Sequence, residues 1–269
     1  MKTMTKKSRV PVFATALCFL AAGQAQAVTV NVFQVNLNDL TPAGNSEIMS
    51  WLNDQGMAND FNNVAMLEDF EGQTSGWYQN LGDTGVGTFT ATGNPGTGSS
   101  SYNSASGSTS SDPFFEVRDY EADGRYNVFP ADSGTNYLDS ADITELTLDL
   151  IPGLDNLFFT VTDPSDIRAI TTTNADGVSG DIDYGQRDGS LRFVGIDGEG
   201  EDLTTVSWVT NHVLTGDPYS NDGFGLDSFG TVSGHQVPEP VTTLLFGAGL
   251  IPLVGSLRRK KAPCVAQMT

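Results

Sequence analysis

Apolar and polar residues alternate with a period of two over several short stretches in the second half of the chain. In TELTLDLI, Leu146, Leu148 and Leu150 are separated by polar residues, which is the pattern of a strand with one buried face. Four later stretches are rich in β-branched and aromatic residues: LFFTVTD, DIRAITTT, LRFVGIDG and TTVSWVTN. Clusters of Gly, Pro, Asp or Asn separate most of these stretches at hairpin-like spacing. The pattern predicts an all-β fold of the β-sandwich or jelly-roll class.

A helical pattern precedes these strands, in TPAGNSEIMSWLNDQG. Ile48, Met49 and Leu52 lie on one face of a helix in this stretch, and Asn45 or Ser46 can cap its start. A glycine shortly afterwards can end it. The sequence therefore predicts one short amino-terminal helix.

The stretch from Ala91 to Pro113 has a low-complexity composition of Gly, Ser and Asn. Such a stretch offers little apolar surface to bury, so it has little to offset the entropy lost on ordering. The sequence predicts a flexible loop over 91–113, inserted in a single sandwich domain. The alternative is a linker that separates a small amino-terminal piece from the main strands.

The first 27 residues have the layout of a secretory signal peptide. Four basic residues precede an apolar stretch, and Ala25 and Ala27 frame a small-x-small cleavage site. The apolar stretch is much shorter than the about 20 residues that a membrane-spanning helix needs. The sequence predicts that residues 1–27 are removed on export and that residues 28–236 form the exported body.

The carboxyl-terminal region has three parts in a fixed order. Pro238, Glu239 and Pro240 form a triplet that stays extended, because proline fixes its own φ angle and disfavours helix at the preceding residue. An apolar run from Val241 to Leu257 follows, near the lower length limit of a membrane span. A basic cluster closes it: Arg258, Arg259, Lys260 and Lys261. The positive-inside bias keeps this cluster cytoplasmic and the body outside.

This order of triplet, apolar run and basic cluster resembles the PEP-CTERM sorting signal of Gram-negative bacteria. The resemblance covers residues 237–261, and a short tail, 262–269, departs from it. It implies processing by an exosortase-type enzyme, a precursor held in the inner membrane by its carboxyl-terminal helix, and release to the cell surface or an exopolysaccharide matrix. An ordinary membrane anchor is the alternative, and both place the body outside the cytoplasm.

The composition of the body excludes several functions. The body contains no lysine or cysteine and has five arginines, while the whole chain already carries a formal net charge of −20. Without lysine and with few arginines, the body lacks the cations that displace phosphate counterions, which excludes electrostatic binding of nucleic acid. Without cysteine it has no disulfide framework, thiol nucleophile or thiolate zinc site. Solubility, repulsion between copies and affinity for calcium remain.

Two segments, LEDFEGQTSGWY and NDGFGLDSFGTV, resemble the first and last strands of jelly-roll carbohydrate-binding modules. In such modules the two strands lie side by side, and their acids can coordinate a structural calcium. By position, the resemblance implies Glu71 and Asp227 as leading calcium ligands, with Asp69 as a further candidate. The alternative is that these carboxylates belong to turns and edge strands and face water.

Aromatic side chains are the candidates for stacking against sugar rings. Trp77, Tyr78, Tyr184, Trp208 and Tyr219 come into question, although large aromatics also fill sandwich interiors. Trp208 alternates with valines and is predicted to lie in the core. Tyr78 and Tyr219 adjoin turn residues and are predicted to be exposed and to bind ligand.

No catalytic motif stands out. The chain has no nucleophile elbow, no His-Glu-x-x-His and no phosphate-binding glycine loop. The leading hypothesis is an exported, non-catalytic protein of the cell surface or exopolysaccharide matrix. A calcium-stabilised, lectin-like carbohydrate-binding module is the alternative, and an extracellular glycan hydrolase, which needs only two well-placed carboxylates, is a third possibility.

Overall fold

The structure is a computed structural model that describes residues 27–35, 46–57, 64–96, 100–121, 124–128, 134–183, 191–210 and 223–232. Several sequence predictions lie outside these residues: nearly all of the signal peptide, Tyr219, and the carboxyl-terminal triplet, apolar run and basic cluster. None of the helices in the described ranges is long and apolar enough to cross a membrane.

Two antiparallel β-sheets contain about half of the described residues. The strands are β1 (Thr29–Val35), β2 (Val64–Glu68), β3 (Gly76–Tyr78), β4 (Asn80–Leu81), β5 (Gly87–Ala91), β6 (Phe115–Arg118), β7 (Tyr137–Asp139), β8 (Glu145–Leu150), β9 (Asn156–Thr162), β10 (Ile167–Asn174), β11 (Ser179–Asp183), β12 (Leu191–Asp197), β13 (Leu203–Thr210) and β14 (Gly225–Val232). The large sheet has the order β1-β12-β9-β14-β7-β6-β3, with β2 also paired to β14, and the small sheet has the order β11-β10-β13-β8-β5-β4.

The all-β sandwich predicted from the hydrophobic pattern is confirmed. The five stretches singled out by their composition form β8, β9, β10, β12 and β13, with ends within one residue of those expected. Leu146 and Leu148 are fully buried, and Leu150 packs partly buried against the same core. The finer assignment to the jelly-roll class stays a prediction.

The turn-rich segments between several of these strands do not form hairpins. The connections β8–β9, β9–β10 and β12–β13 each carry the chain from one sheet to the other. Two of these connections bind each other, because Gly198 N donates to Asp155 O at 2.7 Å and Leu203 N donates to Leu154 O at 2.6 Å. Consecutive strands therefore contribute to opposite walls of one core.

The interior between the sheets contains an aromatic group that we call the interior aromatic cluster: Phe70, Phe89, Phe159, Trp208 and Phe229. All five rings are fully buried. Phe229 stacks on Phe159 with centroids 5.1 Å apart and meets Trp208 edge-on at 6.3 Å. The prediction that Trp208 lies in the core is confirmed.

The predicted amino-terminal helix is present as α1 (Ser46–Leu52), followed by a π-helical turn (Asn53–Met57). Ile48, Trp51 and Leu52 are buried in a second apolar cluster with residues of β9 and β12, on the outer face of the large sheet. Gly195 makes this close packing possible, because a Cβ there would lie 2.5 Å from the Trp51 indole. The large sheet is therefore covered on both faces, which explains why every residue of β9 is buried.

A second short helix, α2 (Tyr102–Ser106), lies inside the low-complexity stretch. The sequence predicted only one helix and did not predict this one. The Ser101 hydroxyl caps its start by accepting from Ser104 N at 3.2 Å. Gly107 ends it with a φ of 65°, which glycine adopts without a steric cost. These two end signals explain how so short a segment is helical, while the flexibility of the whole 91–113 loop stays a prediction.

Candidate functional site

The two segments that resemble the ends of a carbohydrate-binding module are neighbours in the sheet. Strand β2 pairs with β14 in antiparallel register, with Glu68 opposite Phe229 and Val64 opposite Val232. This is the side-by-side arrangement that the resemblance implies for the first and last strands. The acids of both segments consequently lie on or next to one strand pair.

Glu68 is the most buried acid of the first segment, and it organises the turn that follows β2. Its Oε1 accepts from Phe70 N at 2.7 Å, and its Oε2 accepts from Gly85 N at 2.8 Å. Phe70 has a φ of 59°, a left-handed conformation that costs a bulky residue free energy. The carboxylate therefore holds a strained turn that inserts the Phe70 ring into the interior aromatic cluster.

Glu71, a predicted calcium ligand, is exposed and connects this turn to two later segments. Its Oε1 accepts from Asn136 N at 2.7 Å and from Asn127 Nδ2 at 3.1 Å. Asp69, the further candidate, accepts from Glu71 N at 3.1 Å through Oδ1. The bonds made by Asp69 and Glu71 are those of a turn and its anchor to neighbouring loops.

Asp227, the other leading candidate, is buried, with 1% of its surface exposed. Its Oδ2 accepts from Val128 N at 2.8 Å and its Oδ1 accepts from Ser228 N at 2.7 Å. Glu71 and Asp227 thus bind consecutive residues, Asn127 and Val128, of the segment 124–128, which we call the covering segment. The structure gives both acids the role of fastening that segment to the sheet, and their predicted role as calcium ligands stays a prediction.

A calcium ion takes six to eight oxygen ligands. In the described part of the chain, no group of three or more His, Cys, Asp or Glu side chains is placed to share a metal ion. The carboxylate oxygens of Glu71 and Asp227 accept from N–H groups, which occupy positions that a cation would also use. These hydrogen bonds give both carboxylates a structural role, and calcium binding stays a prediction from the resemblance.

A buried ionic network, which the sequence did not reveal, lies on the outer face of the large sheet. Arg118 Nε is 2.6 Å from Glu116 Oε2 and 3.0 Å from Asp139 Oδ2, and Arg125 Nε is also 3.0 Å from Asp139 Oδ2. The Arg125 and Asp139 side chains are completely buried. The sequence contained one signal for this network: the body has a few arginines although it has no lysine.

Burial and neighbouring charges both shift the pKa values of this network. Burial raises the pKa of Glu116 above its ordinary value, and Arg118 offsets part of that increase. Burial acts to lower the pKa of Arg118, but Asp139 and Glu116 more than reverse this and raise it. Burial and the Asp139 charge also raise the pKa of Tyr137. The arginines are therefore fixed cations that tie β6 and β7 to the segment containing Arg125.

The structure separates the two adjacent aromatic residues of β3. Tyr78 is partly buried and packs against the interior core, its ring stacked on Phe115 with centroids 6.2 Å apart, and its hydroxyl donates to Thr74 O at 2.6 Å. Trp77 points to the opposite face, because successive strand residues alternate. The Tyr78 ring therefore lies on the core side of its strand, whereas we predicted exposure, and its predicted ligand role is untested.

Three partly exposed rings meet on that outer face, and we call them the aromatic rim: Trp77, Tyr102 and Phe114. Trp77 meets Tyr102 edge-on with centroids 5.4 Å apart, and Tyr102 stacks on Phe114 at 4.1 Å. Sequence reasoning named Trp77 as a candidate but missed the other two. Tyr102 lies in a stretch that we interpreted as flexible. The serine directly before it was a signal for the start of a helix.

Most of the described arginines are buried, whereas most of the described acids are not. Arg118, Arg125 and Arg192 are buried, and of the arginines whose side chains are described, only Arg168 is exposed. The body therefore directs most of its described cations inward while many of its carboxylates face water.

Comparison with known proteins adds no family assignment. No protein-family model matches the chain, and no curated protein matches it.

Proposed function

We propose that this chain is an exported, non-catalytic protein of the cell surface or exopolysaccharide matrix, delivered and processed through a PEP-CTERM-type tail. The tail evidence is the order of Pro238–Pro240, the apolar run and the basic cluster in the sequence. The observation that supports the role of the body is that most of its described arginines are buried while most of its described acids are not. Such a surface stays soluble, repels other copies and avoids anionic headgroups and nucleic acid.

The interactions of three buried carboxylates support a non-catalytic role. Asp139 is neutralised by two arginines, and Asp227 and Glu68 are engaged by backbone N–H groups. These carboxylates stabilise the fold, whereas a glycan hydrolase needs a pair of carboxylates that reach a substrate.

The proposal is tested by the mass of the mature protein. The chain is expressed in a Gram-negative host that encodes an exosortase, and the exported product is examined by amino-terminal sequencing and intact-mass measurement. We expect a new amino terminus at Val28 and loss of the apolar run and basic cluster. Replacing Pro238, Glu239 and Pro240 by alanine should leave the tail attached. An exported wild-type product that retains Val241–Lys261 would contradict processing.

Carbohydrate binding is the second candidate function, because the aromatic rim offers partly exposed rings on a polar surface. Calcium belongs to this candidate through Asp69, Glu71 and Asp227. If calcium stabilises the body, adding EGTA should lower the melting temperature of the purified protein, and restoring calcium should recover it. An unchanged melting temperature would remove calcium from the proposal.

A further inference from the structure

The aromatic rim is built by two local rules of strand geometry. On β3, Tyr78 faces the core, so Trp77 faces outward. Phe115 of β6 is fully buried, so the residue just before it, Phe114, is directed to the same outer side as Trp77. Helix α2 then adds Tyr102 between the two rings. Three rings from two strand ends and a helix therefore share one partly exposed surface.

The surroundings of the rim are polar and carry little positive charge. Trp77 lies directly opposite Glu116 in the sheet, so the two side chains share a face, and the Glu116 side chain is 13% exposed. The segment 100–112 supplies seven serines and one asparagine, with Asp112 as its one charged residue. Arg118 is already paired with two carboxylates. The rim therefore combines ring surfaces with hydroxyl, amide and carboxylate groups.

The ionic network also holds the segment that contains the rim. Arg125 Nη2 lies 3.4 Å from Ser100 Oγ, directly before the Ser101 cap of α2. The end of the helix that contains Tyr102 is thus tied to a buried cation beneath it. A ring held in this way loses less conformational freedom when a ligand stacks on it.

We propose that the aromatic rim binds a neutral polysaccharide chain. A pyranose ring offers a C–H face that packs on an aromatic ring and hydroxyls that bond to side chains beside it. Charge excludes the main rivals: a body with a large negative charge repels uronate-rich or sulfated glycans as well as nucleic acid. Three rings are also too small a surface for a stable protein interface, which buries about 1,200 Å² or more.

This inference names a partner for the proposed matrix role and rests on that role only for its biological setting. A protein that is not processed could still bind glycans, and a processed protein could fail to bind them. The two tests therefore fail independently.

Binding is measured on the purified full chain by isothermal titration calorimetry with four neutral probes: cellohexaose, laminarihexaose, mannohexaose and xylohexaose. Polygalacturonate is the anionic comparison. We expect at least one neutral probe to bind and polygalacturonate not to bind. Binding should change the tryptophan fluorescence. We assign that change to Trp77, because the other two tryptophans, Trp51 and Trp208, are buried. Trp77→Phe should remove that fluorescence change.

The rim is tested with Tyr102→Ala, which we expect to weaken binding about tenfold, the loss of one ring contact. The control is Tyr120→Ala, which removes an aromatic ring that is 55% exposed and lies outside the rim, over Arg118 at 5.4 Å. It should leave binding unchanged, and both variants should keep the wild-type melting temperature within a few degrees. If Tyr102→Ala unfolds the chain, Tyr102→Leu, which removes the ring but keeps a large apolar side chain, is measured instead.

Three results would overturn the inference. In the first, none of the four neutral probes binds. In the second, the wild type and a folded Tyr102 variant bind with equal affinity. In the third, the protein binds polygalacturonate more tightly than every neutral probe. The first two remove the rim as a glycan site, and the third reverses the assigned ligand charge.

Discussion

The interior aromatic cluster and the aromatic rim are built from the same kind of contact but have different surroundings. Phe159 and Phe229 stack at 5.1 Å in the interior, and Trp77 meets Tyr102 at 5.4 Å on the rim. The interior rings are completely buried between the two sheets. The rim rings come from the edge strand β3, the residue just before β6 and a five-residue helix, and they stay partly exposed. Ring geometry alone therefore does not separate a stabilising cluster from a surface that can accept a ligand, and exposure does.

The largest effect that follows from this comparison is on stability. Phe229→Ala should lower the free energy of unfolding by about 4 kcal/mol, because it leaves a cavity where four other rings meet. Phe114→Ala, the matched change on the rim, should cost no more than about 1 kcal/mol. Urea unfolding of both variants measures the difference. Equal losses would show that the rim is a second part of the core.

The ionic network beneath the rim should come next in effect. Asp139→Asn leaves the buried Arg118 and Arg125 without their shared carboxylate and should lower the free energy of unfolding by about 3 kcal/mol. Glu71→Gln is the control, since that side chain is exposed and its amide oxygen can still accept both bonds, so a change within about 0.5 kcal/mol is expected. A mild effect of Asp139→Asn would mean that the network is not needed to hold the covering segment.

The smallest effect is a pH dependence from Glu116, which shares a face with Trp77. Its pKa in the folded protein is raised above the ordinary 4.5, so the native state keeps this proton at pH values where the unfolded chain has lost it. The contribution of Glu116 to the free energy of unfolding therefore falls as pH rises from about 4.5 through the raised pKa.

Glu116→Gln should remove this slope. Loss of the Arg118 contact shifts stability at every pH, so the readout is the difference in slope between variant and wild type in urea unfolding from pH 4 upward. Parallel curves would show that the Glu116 carboxyl titrates alike in the folded and unfolded chain.

Much of the local structure could be predicted from the sequence. Three patterns predicted which side chains are buried: the alternation of Leu146 and Leu148, the valines around Trp208 and the apolar face of α1. All three predictions are confirmed. The role of Glu71 and Asp227 as calcium ligands stays a prediction. Their bonding to Asn127 and Val128 was not predictable, because it depends on a covering segment with no periodic signal of its own.

The orientation of Trp77 and Tyr78 shows where sequence reasoning reached its limit. Alternation states that the two rings face opposite sides, but not which side is the core. That choice depends on β6, whose Phe115 receives Tyr78 inside while Glu116 lies opposite Trp77 outside. The sequence of a three-residue strand is too short to determine which of its two faces is turned toward the core.

The sequence by itself determined which segments become strands, the strongly acidic character of the body and the three-part order of the tail, because each is a property of residues close together in the chain. The tertiary structure decided which sheet each strand joins, which carboxylates fasten loops and which rings remain at the surface. Those outcomes depend on contacts between residues far apart in sequence, such as Asp139 with two arginines and Phe229 with four rings. A period of two records that a face is buried, but it does not record what covers it.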